Sequence, residues 1–311
     1  ATPLSSARPA PLFEGLGTYG MKVNTRSEQA QSYFDQGMVL SFGFNHAEAL
    51  RAFRKASKLD PDCAMCYWGE ALVLGPNINS PMFPDAVEPA FAAVTKAQAL
   101  AAKASDKERA LIGALAARYT NDAKAERPPL EMAYAEAMGK VVALFPRDQD
   151  IGALYAEALM DTQPWDYWEA GGAQSKGRGA EILATLERVL KDNPDHPGAI
   201  HYYIHVVESS TAPERALPYA QRLGKQMPGA GHIVHMPFHI FFRIGQYKEA
   251  LQANKEAVAI DEAYFASGAP KSVYSQGYYP HNVHSLMASA QMAGDGKTVL
   301  DAADKLSNVV S

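Results

Sequence analysis

Apolar and polar positions recur along this chain every three to four residues, the period of an amphipathic helix. The pattern begins near Ser27 and runs to the end. Residues 1–26, with prolines and glycines but no clear period, are expected to form an irregular N-terminal arm, and residues 27–311 a single domain. Within that domain several segments end alike: VVALFPRDQD, RVLKDNPDHP and RLGKQMPGAG each carry an apolar helix into a proline, at Pro146, Pro194 and Pro228. Proline lacks the N–H that continues a helix, so each marks a helix end. Residues 108–119, ERALIGALAARY, form a further helix. Two stretches interrupt the period, the Trp- and Gly-rich 162–179 and the segment 266–280. No alternating run is long enough to build a sheet, so the chain is expected to be all-α.

The clearest unit is SEQAQSYFDQGMVLSFGFNHAEALRAFRKASKLDPD, with Tyr33, Gly37, Leu40, Ala49, Phe53, Ala56 and Pro61 in register. It resembles a tetratricopeptide repeat (TPR): small residues where two antiparallel helices touch, large ones between them, and proline after the second. In the family's frame of roughly 34 positions, Gly37 is position 8, Ala49 position 20 and Pro61 position 32. The resemblance covers 27–309 and implies a right-handed α-solenoid of about six degenerate TPR-like helix pairs. The segments GPNIN, HYYIHVVE, HMPFHI and YPHNVH further resemble a bacterial subgroup of these proteins with little assigned biochemistry. Such proteins are usually binding scaffolds, whose positions 2, 5, 9 and 12 line a concave groove.

Seven of the nine histidines fall in three short groups: His201 and His205; His232, His235 and His239; His281 and His284. Spacings of three and four put each group on one helical face. In the repeat register, His201, His205 and Glu208 take positions 5, 9 and 12. His232, His235 and His239 take 2, 5 and 9, and His281 and His284 take 2 and 5. All seven are therefore expected to face the groove, with Glu208, and with Glu157 at position 9 of the preceding unit and Asp161 a turn further on. Imidazoles with carboxylates suit one or two transition-metal ions (copper, zinc, iron or nickel) and argue against calcium or magnesium. Glu208 and Glu157 are the expected ligand or catalytic base. Pro237 should kink its helix or start it, re-aiming His232 and His235 relative to His239. His46, at a packing position, and His196, in a turn, stand outside the set. Phe34, Met38 and Trp68 either give the groove an apolar half or simply cover the core.

Composition narrows the reading. A net charge of −5 gives no footprint for nucleic acid or an anionic membrane, and no apolar run reaches the roughly 18 residues of a membrane span. Cys63 and Cys66 fit a disulfide or two small core residues; with no second pair and no following histidine, a zinc ribbon and a c-type haem are out. The opening ATPLSSARPAPL resembles the start of a chain from which an export signal has been removed, so a periplasmic or secreted protein is expected. No nucleophile triad, phosphate loop or dinucleotide fingerprint occurs. Three functions fit: a metalloenzyme, oxidase or hydrolase, acting on a small molecule; a copper or zinc carrier or sequestration protein; or a scaffold holding a peptide in the groove.

Overall fold

A computed structural model describes residues 10–310, with the side chain of Val310 left aside. The described residues hold fifteen α-helices and no strand; two isolated bridges, Asn77 with Ser80 and Trp168 with Ser175, are the only extended pairings. The helices of the first half are α1 (Glu28–Phe42), α2 (His46–Leu59), α3 (Ala64–Leu74), α4 (Val87–Leu100), α5 (Asp106–Ala116), α6 (Arg127–Leu144), α7 (Gln149–Thr162) and α8 (Gly179–Asp192). Those of the second half are α9 (Pro197–Val207), α10 (Leu217–Gln226), α11 (Gly231–His235), α12 (Pro237–Arg243), α13 (Tyr247–Ala266), α14 (Tyr279–Ala293) and α15 (Gly296–Val310). Each packs mainly on its neighbours in sequence, the arrangement of a TPR-like solenoid. Taking α11 and α12 as one interrupted helix gives seven hairpins, one more than the six expected. The unit around α4 and α5 carries too few repeat marks to be counted from sequence.

Local chemistry fixes where helices start. Ser27, Asn45, Ser105 and Asp148 each accept a backbone N–H of the first turn, and Ser105 with Glu108 completes a capping box. Four first helices, α3, α7, α9 and α11, begin at the residue that the repeat register put at position 1: Ala64, Gln149, Pro197 and Gly231. Small residues let the helices approach. A Cβ on Gly37 or Gly69 would lie 2.6 or 2.4 Å from the Phe53 ring, which sits between them. Cys63 and Cys66 form a disulfide across the first turn of α3.

The coil closes on itself, which the repeat pattern does not show. Helix α1 packs on α9, Tyr264 of α13 donates to Glu48 of α2 at 2.9 Å, and Tyr278 donates to Asn77 at 3.3 Å. The arm over residues 10–26 has no regular structure and straps this closure. Phe13 N–H donates to Gln36, Gln36 to the Pro11 carbonyl, Tyr19 to Asp150 of α7, and Gly229 N–H to the Gly15 carbonyl. Positions expected to line a concave groove are therefore interior. Phe34, Met38 and Trp68 are fully buried core residues, and the Trp68 indole donates to the Leu111 carbonyl.

A matched pair of substitutions checks the packing. Gly69→Ala and Gly113→Ala both gain helix propensity, but a Cβ at Gly113 meets nothing within 4 Å. We expect Gly69→Ala to destabilise by about 1–3 kcal/mol and Gly113→Ala to stabilise by about 0.5–1 kcal/mol in urea unfolding. Equal midpoints for the two would contradict the contact.

Candidate metal centre

Three first helices supply the imidazoles. Helix α9 presents His201 and His205 four residues apart, with Glu208 as its C-cap. Helix α11 carries His232 and His235, and α12 carries His239. Pro237 has no N–H, and the helix is interrupted at Met236, where the Met236 N–H is shared between the His232 and Ile233 carbonyls. The interruption still leaves His235 and His239 side by side. Helix α14 contributes His281 near its first turn.

The rings form one continuous chain. His201 Nδ1 meets the Phe42 carbonyl at 2.5 Å, and its Nε2 lies 3.0 Å from His205 Nε2. His205 Nδ1 and His239 Nδ1 meet the two oxygens of Glu208, at 2.9 and 2.8 Å. His239 Nε2 lies 3.0 Å from His235 Nε2, which lies 3.1 Å from His281 Nε2. His235 Nδ1 meets Asn254 Oδ1 at 2.6 Å. The Asn254 amide nitrogen is committed to the Ala250 carbonyl and Ser289, so its oxygen must accept.

Those partners settle the tautomers. A ring nitrogen against a carbonyl, carboxylate or amide oxygen carries the hydrogen. In His201, His205, His235 and His239 that nitrogen is Nδ1, so each neutral ring turns a bare Nε2 lone pair inward. Lone pairs then face each other at 3.0 Å with no proton between them, which is repulsive unless a cation or a shared proton lies there. Metal–nitrogen bonds of about 2.0–2.1 Å at tetrahedral angles set nitrogens about 3.3 Å apart, so a small opening admits an ion. Imidazoles whose other nitrogen is held by a carboxylate or carbonyl are the usual supporting arrangement of metal sites.

Three groupings bring ligand atoms within 4.8 Å of one another: His201 with His205 and His232; His235 with His239 and His281; and His205 with Glu208 and His239. Both ring nitrogens of His232 are buried without a hydrogen-bond partner. His201, His205, His232 and His235 are at most 2% exposed and His239 8% exposed, whereas His281 opens to solvent. Burial pushes His201, His232 and His235 well below the usual imidazole range, with the neighbouring rings adding to it; burial also lowers His205, and brings His281 to about 4. Burial alone would raise Glu208, but the facing His239 and His205 rings hold it well below the usual carboxylate range.

Two sequence candidates stand apart. His284 lies on the exposed side of α14 and joins none of the three groupings. Glu157 belongs to a second buried cluster, where Arg118 binds Glu131 at 2.6 Å and also Asp161, with Tyr202 and Tyr134 beside it. Burial raises Glu157 to about 7 and Asp161 well above its usual range, against the pull of Arg118. His196 instead caps α9, its Nδ1 accepting from Ala199 N–H.

Sequence reasoning missed the parts that hold the rings. Asn254 and the Phe42 carbonyl carry no spacing signal. Phe44 lies over His201 at 4.5 Å and stacks on His205 at 6.1 Å, and Trp165 meets His205 edge-on at 5.0 Å. These are the two described non-glycine residues with positive φ, 57° and 65°. Such backbone costs about 1–3 kcal/mol each and persists where surrounding contacts impose it.

No family model and no curated protein matches this chain. Among solved structures the chain is similar to YrrB, described as a TPR protein with an unusual peptide-binding site. The alignment covers 78% of this chain and 94% of that one, at 15% identity and a TM-score of 0.30.

The titrating groups fix a pH dependence for metal-free protein. His46, His201, His205, His232, His235 and His281 have lowered values, so below about 6.5 the unfolded chain binds protons that the folded one refuses. Asp35, Glu70, Glu157, Asp161 and Asp261 are raised and act oppositely. Six imidazoles against these five carboxylates, with the lowered Glu208, Asp150, Glu181 and Glu262 adding to the imidazole side, leave the unfolded state the stronger proton binder, so stability falls as pH drops from about 6.5 toward 4.5. Urea midpoints of chelator-treated protein at pH 7.5 and 5 check this; a midpoint that holds or rises in acid refutes the assignment.

Proposed function

We propose that the protein binds one or two transition-metal ions through inward Nε2 atoms, one group formed by His201, His205 and His232, the other by His235, His239 and His281. The observation that carries this reading is the set of four rings whose Nδ1 is tied to an oxygen, leaving their Nε2 atoms to meet in two pairs at 3.0 Å, with His281 Nε2 joining the second pair 3.1 Å from His235. Both oxygens of Glu208 already accept from His205 and His239, so its role is to orient one ring of each group rather than to act as base. Three histidines leave a tetrahedral ion one open position, the pattern of reactive rather than structural sites. This supports a metalloenzyme acting on a small molecule over a carrier. An all-imidazole set suits zinc, copper or iron. The Cys63–Cys66 disulfide supports an oxidising compartment, hence export.

The second reading is a peptide-binding scaffold, in which the imidazoles are a hydrogen-bonded polar interior with protons shared between facing nitrogens. The TPR-like frame of stacked helix hairpins favours it. Elemental analysis of protein purified without a nickel column or chelator separates the two. We expect one or two equivalents of metal, abolished in His205→Ala/His239→Ala with helicity retained. Metal-free protein that also binds no added zinc, copper or iron would leave the scaffold reading.

The supporting acceptors supply a finer check. Asn254→Leu frees the His235 tautomer without removing a ligand, and metal affinity should fall about 10–100-fold. Unchanged affinity by competition with a chromophoric chelator would remove Asn254 from the site.

A further inference from the structure

Closing the coil creates a second feature, on the far side of Phe44 from the imidazoles. A cavity of about 480 Å³ lies between α2, the loop after α3 and the segment around 270–278. These elements are some 200 residues apart in sequence and are joined here by the Tyr278–Asn77 hydrogen bond. The volume is within the range of about 300–1,000 Å³ that small-molecule sites occupy. Its walls are apolar, with Leu50, Val73, Phe83 and Val273 among the lining residues.

Apart from Lys271, Asp85 and the Glu48-paired Arg51, the polar groups of the lining are few and uncharged. Tyr278 donates to Asn77 Oδ1 at 3.3 Å, and the Asn77 amide nitrogen meets His46 Nε2 at 3.4 Å. Both bonds are long, near the limit of the interaction, so a ligand atom can replace either at little cost. Burial keeps His46 neutral, lowering it to about 4, with Arg118 adding to the shift. Full charges belong to the lining in both signs: Lys271, Asp85, and Arg51, which pairs with Glu48 at 2.7 Å. Lys271 and Asp85 are exposed to solvent and Arg51 is committed to Glu48, so an ionised ligand inside would give up its water for charges that are already hydrated or paired.

We propose that this cavity binds a small, uncharged, ring-bearing molecule with one hydroxyl or carbonyl group, which exchanges hydrogen bonds with Asn77, His46 and Tyr278. The ring lies against Phe44 and Phe83. The site does not depend on the metal reading, because none of the proposed ligands lines the cavity.

The test uses the full chain and an uncharged fluorescent probe, N-phenyl-1-naphthylamine. Saturable enhancement in the micromolar range is expected, displaced by phenol at least tenfold better than by benzoate. Ala47, half-buried on the cavity wall, is the position to fill. Ala47→Trp should weaken the probe more than tenfold while metal content stays at the wild-type level. Should circular dichroism show that Ala47→Trp fails to fold, Ala47→Met is expected to weaken binding at least threefold. Absence of saturable binding, full affinity in a folded filled variant, or equal competition by benzoate overturns the proposal. Metal content measured in the same samples keeps that failure separate from failure of the metal reading.

Discussion

The Nδ1–H of His201 donates to the Phe42 carbonyl, and through that bond the first hairpin meets the fifth. The bond holds the His201 tautomer, seats Phe44 over three imidazole rings, and removes the surface that a repeat frame would otherwise leave as a groove. A buried neutral imidazole with an oxygen partner on one nitrogen costs little; the same ring without one costs a few kcal/mol. The closure thus lowers the cost of keeping this many imidazoles out of water.

Strain and polarity gather at the same place. Phe44 and Trp165 hold unfavourable backbone angles and both bear on His205. Trp165 is anchored by its indole N–H on the Ile78 carbonyl and Asn79, in the loop after α3. Elsewhere in the interior, Arg118 sits buried among Glu131, Asp161 and Glu157, and with Arg127 also paired to Glu131, two guanidiniums face three carboxylates. Burial disfavours the surplus charge and raises Glu157 and Asp161 against the pull of Arg118.

How much of this is legible in the sequence depends on whether a feature is periodic. Helix starts at Ala64, Gln149, Pro197 and Gly231 are legible because proline and small residues mark each repeat in register. The gathering of His201, His205, His232, His235, His239 and His281 is legible for the same reason: equal positions in successive repeats stack along one face. His284 follows the same arithmetic and faces solvent, because α14 has no later hairpin inside the closure to cover it. Glu157 also has the right position, but Arg118, from a helix without repeat marks, takes it into a different cluster. Asn254, the Phe42 carbonyl and the cavity behind Phe44 arise from contacts between distant units, and no local spacing encodes those.

Open repeat arrays tolerate gain and loss of units, since each unit touches only its neighbours. The bond between Phe42 and His201 withdraws that freedom. One hairpin added or deleted between α2 and α9 would rotate His201 away from its carbonyl acceptor and part the first hairpin from α13. The number of repeats in this chain is therefore a fixed structural parameter, as strand number is in a closed barrel, and its lineage should vary in loop length rather than in repeat count.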